Sequence, residues 1–169
     1  MFSAVVLFMV VAAISLLLPS HVRISRAINI HAAPLKIWAQ VDDMRRWKEW
    51  NPFFSQVDSG RIHYADSING RPALMEIAGT SVKWQEIKSN ERIAVFRKEG
   101  TTSLINGWKC ITGTSSDSTT LQWFMDFRLR WYPWEKFASL SFERSYGSRM
   151  EQGLKELKNI VEADRLSGN

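Results

Sequence analysis

The sequence has a single cysteine, Cys110, in 169 residues. That excludes a disulfide scaffold and any zinc site built on a cysteine cluster. Its three histidines are His21, His31 and His63, and none has a histidine or cysteine partner at metal-ligand spacing. No metal and no cofactor is therefore expected. There is no Gly-x-Ser-x-Gly elbow, no Gly-x-x-x-x-Gly-Lys loop and no Asn-x-Ser/Thr sequon. Internal repeats, low-complexity tracts and linker-like stretches are also absent. Charged residues make up 23% and hydrophobic residues 45%, a balance that excludes disorder, collagen and coiled coil.

What is present begins with an apolar run from Met1 to Leu18, interrupted only by Ser3 and Ser15 and closed by Pro19-Ser20. A helix of that length rises roughly 27 Å, close to a bilayer core of about 30 Å. The expectation is a transmembrane anchor at residues 1–19. A cleaved signal peptide is the second reading, although no basic residue precedes the run and no small-x-small cleavage site follows it. A buried core helix is the third, and the missing polar stripe speaks against it. The first charged residue is Arg23, and Arg26, Lys36, Arg45, Arg46 and Lys48 follow. The positive-inside rule then predicts a single-pass membrane protein with its folded part in the cytoplasm. The net charge of +5 lies wholly beyond the run and is spread along the chain. It is read as solubilising charge rather than as a lipid-binding patch.

Beyond the run, Val22, Ile24, Arg26, Ile28 and Ile30 alternate with Arg23, Ser25, Ala27 and Asn29, which predicts a strand. Pro34 suits a helix start, and Ile37, Trp38 and Val41 give that helix an apolar face. Asp43 caps a second short helix through Trp47, and Asn51-Pro52 ends it. Six strands are expected next: 61–66, 73–78, 82–88, 93–98, 104–112 and 119–131. The turns between them include Asn69-Gly70, Gly79-Thr80, Ser89-Asn90 and Ser116-Asp117. Such short spacing favours antiparallel hairpins. In the last strand Leu121, Trp123, Met125, Phe127, Leu129 and Trp131 share one face, with Phe124 out of pattern on the other. A long helix over about 145–165 closes the fold, with Tyr146, Met150, Leu154, Leu157 and Val161 on its apolar side. Gly153 lies on that side too, where it would admit a strand or a ligand to the helix backbone. Glu151 and Lys155 are expected as a pair on the wet side.

Arg26-Ala27-Ile28-Asn29-Ile30-His31-Ala32-Ala33-Pro34, Ile37-Trp38, Trp47-Lys48-Glu49-Trp50-Asn51-Pro52, Gly153-Leu154 and Leu157-Lys158 resemble, in order and spacing, segments of the START-like (SRPBCC) superfamily. The similarity runs from about residue 22 to 163 and is nearest to the polyketide cyclase/dehydrase-like branch. It implies an α+β helix-grip fold: a curved seven-stranded antiparallel sheet around the C-terminal helix, with a deep apolar cavity between them. The anchor would precede a ligand-binding domain at residues 21–165, and residues 166–169 would fray. The ligand class implied is lipids, sterols, polyketides and other hydrophobic molecules. Members include carriers, sensors, cyclases and co-chaperones, so no single activity follows.

No catalytic constellation is visible. The histidines are read as structural or exposed, and Cys110 as a buried inert thiol. Asp126, Glu135, Glu143 and Glu151 could place carboxylates near a cavity mouth, but ordinary surface charge explains them. Arg128 and Arg130 alternate with aromatics up to Trp134, which raises nucleic-acid binding; strict alternation favours a core face with arginines in water, so no nucleic acid is expected. The eight tryptophans can fill a core or line a cavity. Trp47, Trp50 and Trp134 are alternatively placed in an interfacial belt. Inward alternation and the grip arrangement nominate Phe53, Trp84, Trp108, Trp123, Met125, Phe127, Met150 and Leu154 as cavity lining, with the Trp38–Trp50 helices and the Phe53-Phe54 loop as a gate. The expected function is binding or carriage of a hydrophobic small molecule. The alternatives are a cyclase or dehydratase, which needs a buried acid or base, and an interaction module with a filled core.

Overall fold

A computed structural model describes residues 2–112 and 118–166; the expected Ser116-Asp117 turn and tail residues 167–169 lie outside the described residues. Helix α1 is Phe2–Leu17 and strand β1 is His21–Ile30. Two short helices follow, α2 (Pro34–Val41) and α3 (Trp47–Trp50). The remaining strands are β2 (Ile62–Ile68), β3 (Arg71–Ile77), β4 (Thr80–Ile87), β5 (Glu91–Lys98), β6 (Leu104–Thr112) and β7 (Thr119–Arg128). Helices α4 (Pro133–Ser139) and α5 (Phe142–Leu166) end the described chain.

Among the described residues the strands form one antiparallel sheet of seven, in the order β1-β7-β6-β5-β4-β3-β2. Consecutive strands from β2 to β7 are neighbours, as short hairpin connections require. Only β1 comes from afar, closing the sheet beside β7. A bulge between Trp84 and Glu86 interrupts the β4–β5 register and bends the sheet there. The inner face packs on α5, and α2 and α3 lie against the same helix.

Local chemistry explains the elements. Pro34 occupies the first turn of α2, where its missing N–H costs nothing. Asp43 accepts from the Arg45 N–H (3.1 Å) at the start of a 3-10 turn, Met44–Arg46, that leads into α3. The Arg45 guanidinium also binds that carboxylate (2.7 and 2.8 Å) and holds the Asp43 carboxyl below its ordinary pKa. Asn69 and Gly70 both take positive φ in the β2–β3 hairpin. The β3–β4 turn falls on Ala78-Gly79, again both at positive φ, and not on the expected Gly79-Thr80.

Gly153 has the packing reason its sequence position suggested. A Cβ there would stand 2.8 Å from the Trp123 ring and 2.9 Å from Pro52, so a strand side chain occupies the space. A second glycine does the same on the outer face. Phe124 lies across Gly107 of β6, where any Cβ would meet its ring at 2.1 Å. Arg23 covers the other side of that ring (4.6 Å) while binding Asp126 with two short hydrogen bonds (2.5 and 2.6 Å). Phe124 is thus buried although it points away from the core.

Four further expectations change. First, the structure does not support the expected transmembrane anchor at residues 1–19. Its helix stops at Leu17, sixteen residues or about 24 Å at 1.5 Å each, short of the roughly 30 Å a bilayer core needs. No helix among the described residues is long and apolar enough to cross a membrane. The single-pass membrane localisation with a cytoplasmic domain is withdrawn on that finding. The helix end is held by the protein itself: Ser15 is buried, α1 packs on α4, and Lys136 Nζ donates to the Leu18 carbonyl (2.9 Å).

Second, β7 ends at Arg128, and Pro133 starts α4. Trp131, expected to face inward, is 67% exposed. Third, Glu151 pairs with Arg26 of β1 (2.7 Å) rather than with Lys155. Arg26 also binds Glu143, and Gly147 leaves room for its guanidinium. Fourth, Trp47 and Trp50 are buried and so cannot form an interfacial belt; Trp134 is exposed.

Candidate functional site

The inner face of the sheet is filled at one end. Trp47 and Trp50, delivered by α3, meet Trp84 of β4, Trp108 of β6 and Trp123 of β7 with ring centroids 5.2–6.4 Å apart. Most pairs are edge-on or tilted, the arrangement aromatic quadrupoles prefer. Trp47 Nε1 donates to the Val41 carbonyl (2.7 Å), and Trp123 Nε1 donates to Asn106 Oδ1 (2.5 Å). Trp50 Nε1 and Trp108 Nε1 are buried with no acceptor among the described residues. Below the cluster Ile24, Ile30, Met150, Leu154, Leu157 and Val161 seal β1 to α5.

The other end is hollow. A pocket of about 330 Å³ opens between the sheet and the loop that follows α3. Its sheet wall comes from Thr80, Val82, Phe96, Leu104, Asn106 and Met125, with Ile77, Ala78 and Lys98 at the edge. The loop supplies Phe53, Phe54 and Val57, and α5 supplies Tyr146. Asn51 shapes the loop. Its side chain accepts from the Phe53 N–H (3.1 Å) and its carbonyl from the Phe54 N–H (2.9 Å). That turn stands Phe53 beside Tyr146 (5.8 Å, stacked) and edge-on to Trp123 (6.1 Å), with Arg149 over its outer side (5.6 Å). The lining is mainly aromatic and aliphatic. Its polar groups are Asn106 at depth and Thr80, Tyr146 and Lys98 toward the rim.

The eight nominated lining residues divide. Phe53 and Met125 line this pocket. Trp84, Trp108 and Trp123 stand in the tryptophan cluster, and Met150 and Leu154 lie beneath it, all buried. Phe127 packs against Phe142 and Tyr146 (4.8 Å each) and lines a smaller 170 Å³ recess. Sequence reading missed Phe96, Leu104 and Asn106 on β5 and β6. Their inward parity was legible, since Leu104 and Asn106 share the face of Trp108.

None of the four nominated carboxylates lines the 330 Å³ pocket. Asp126 is on the outer face with Arg23, Glu143 and Glu151 bind Arg26, and Glu135 accepts from the Arg130 N–H (2.8 Å). Burial pushes the Cys110 thiol up to about 12, which leaves it protonated and unreactive. A partly buried charge cluster unnoticed in the sequence lies at the far edge. Arg92 binds Asp42 (2.6 Å), packs over Trp38 (4.3 Å) and reaches the Lys88 carbonyl, while Arg71 adds a second contact to Asp42 (3.3 Å). It ties the end of α2 to β5 and β3 and faces no pocket described above.

A family profile described as polyketide cyclase/dehydrase and lipid transport matches residues 21–162. No curated protein matches the chain. Among solved structures, a START superfamily protein from Mycobacterium smegmatis aligns at 18% identity with a TM-score of 0.59, over 83% of this chain and 97% of that one. The Zhui aromatase/cyclase from Streptomyces sp. R1128 aligns at 11% and 0.61, over 84% and 94%. The di-domain aromatase/cyclase StfQ from the steffimycin biosynthetic pathway aligns at 11% and 0.63, over 86% of this chain and 52% of that one. These likenesses establish a shared helix-grip fold.

Proposed function

The chain belongs to the polyketide cyclase/dehydrase and lipid transport family, and on that premise we propose that it binds a hydrophobic small molecule in the pocket beside Phe53. The observation that carries the reading is the hollow, mainly apolar end of an otherwise filled inner face. A volume of about 330 Å³ sits at the lower end of the range used for small-molecule sites. It suits one alkyl chain or a two- to three-ring aromatic rather than a bulky lipid. Burying roughly 300 Å² of apolar ligand surface would yield about 7 kcal/mol before ordering costs. Asn106 is fixed by Trp123 and would orient a polar group at depth; Tyr146 and Lys98 would meet one at the rim. Trp38, Trp47 and Trp50 are locked in the core, so entry is assigned to the Phe53-Phe54 loop alone.

The second reading is cyclisation or dehydration of a polyketide-like substrate. It is favoured by the Tyr146 hydroxyl and Lys98 ammonium at the rim, the polar groups there able to hold or move a proton. Its structural relatives by name include two aromatase/cyclases.

Native mass spectrometry of the full chain, incubated with a C10 fatty acid and separately with an anthraquinone, tests binding. One equivalent of adduct is expected with at least one of them. Leu104→Trp should fill the pocket and weaken that adduct about tenfold or more, equivalent to roughly 1.4 kcal/mol. Absence of any adduct with either probe, or an adduct indifferent to Leu104→Trp, would overturn the pocket as the site.

A further inference from the structure

The outer face of the sheet carries a second depression, of about 530 Å³, across β3 to β7. Its floor follows from strand register. Leu74 pairs with Lys83, Lys83 with Val95, and Val95 with Ile105, so three aliphatic side chains and one ammonium form a row. The next row places Ser81 opposite Arg97. Ser103, which precedes β6, and Arg128, which ends β7, complete the rim.

Three cations therefore surround a partly exposed apolar floor. The other arginines of the sheet face a carboxylate: Arg23 has Asp126, Arg26 has Glu143 and Glu151, and Arg71 and Arg92 share Asp42. Lys83, Arg97 and Arg128 have no ion-pair partner among the described residues. The nearest acid in register is Glu76, opposite Ser81; with Glu99 and His63 it lines an adjoining groove that Ser81 and Arg97 share, and neither carboxylate is within ion-pair distance of Arg97. Asp126 stands beside Ile105, but both its oxygens are engaged by Arg23. Three cations lining one depression, none of them in an ion pair, suit a multiply charged oxyanion, since guanidinium groups bind phosphate through paired N–H donors. The Ser81 and Ser103 hydroxyls add short-range donors. The aliphatic floor adds what bare phosphate could not use.

We propose that this outer depression binds an organic phosphate, its phosphoryl group held by Lys83, Arg97 and Arg128 and its apolar body lying on Leu74, Val95 and Ile105. The site is separate from the inner pocket, because alternate residues of the same strands point to opposite faces.

Isothermal titration of the full chain with phenyl phosphate, inorganic phosphate and phenol tests it. Phenyl phosphate should bind saturably, and inorganic phosphate and phenol should each bind at least about tenfold more weakly. Arg97→Ala and Arg128→Ala are surface changes, and each should weaken phenyl phosphate about five- to tenfold. Val95→Asp should abolish binding by placing an anion on the floor. Leu104→Trp should leave it unchanged. Equal affinity for inorganic and phenyl phosphate would overturn the floor's role and with it the proposal. Loss of binding in Leu104→Trp, with Arg97→Ala and Arg128→Ala unaffected, would move the ligand to the inner pocket and overturn the outer site while favouring the function proposed above. No saturable binding would also overturn it.

Discussion

The two ends of the inner face are made of the same strands and similar side chains, yet one is solid and the other hollow. At the solid end, α3 lowers Trp47 and Trp50 onto Trp84, Trp108 and Trp123. At the hollow end the chain has passed Pro52, and the loop bearing Phe53, Phe54 and Val57, with Tyr146 of α5, overhangs Phe96, Leu104 and Met125. The sheet does not decide which end is empty. The covering segment does, through how many large side chains it inserts. A pocket in this fold is the part of the inner face that the short helices leave uncovered.

The largest contrast to test is chemical. Cys110 sits on β6 at the solid end, and its thiol value of about 12 leaves on the order of a thousandfold less thiolate than an exposed cysteine carries. Alkylation by iodoacetamide should be that much slower in the folded protein than in guanidinium. Linkage gives the same burial a pH signature. The unfolded thiol loses its proton first, so this cysteine's contribution to stability falls as pH rises through about 8.5. Rapid labelling of the native protein would show that the solid end is not closed.

Removing the plug should come next in size. Trp47→Ala is expected to cost about 3–5 kcal/mol by denaturant titration and to join the vacated space to the pocket. A wider range of adducts in native mass spectrometry would follow if folding survives. A loss under about 1 kcal/mol would mean that Trp47 is not what fills this end.

Gly153→Ala tests how tightly α5 is held under the cluster. The added methyl meets Trp123 and Pro52 below 3 Å, and a cost of about 1–3 kcal/mol is expected. Because Pro52 leads into the Phe53 loop, probe binding at the hollow end should weaken as well. Unchanged binding with reduced stability would show that the two ends are independent.

The smallest expected effect is a gain. Ala78 holds φ at 47° at the edge of the pocket, where an L-residue is strained and asparagine is better tolerated. Ala78→Asn should stabilise by about 0.5–1 kcal/mol, seen as a raised thermal midpoint. No gain would mean the turn relaxes at little cost.

Much of this architecture was legible in the chain. Alternation in 22–30 and 121–131 marked β1 and β7, although β7 ends at Arg128; Asn69-Gly70 marked a hairpin, and Pro34 and Asp43 marked helix starts. Gly153 on an apolar helix face signalled a close approach. The site was less legible. Inward parity put Trp108, Leu104 and Asn106 on one face but could not tell which of them would touch empty space. Phe124 broke the pattern in sequence, and only Gly107 on the neighbouring strand explains it. The Asp42–Arg92 pair, 50 residues apart, left no local signal. The apolar N-terminal run reads as a span by composition, and its helix proves too short by a turn or more because Pro19 and β1 follow at once.

The sequence by itself determined the order of the strands, the Asn69-Gly70 turn, the long closing helix and the family, because period, proline, glycine and capping act within a few residues. Tertiary structure alone decided where the cavity lies, which tryptophans pack together at the filled end, and which cations line the depression on the outer face. Those depend on register between strands and on the volume a distant loop leaves unfilled, and neither is encoded in any one segment.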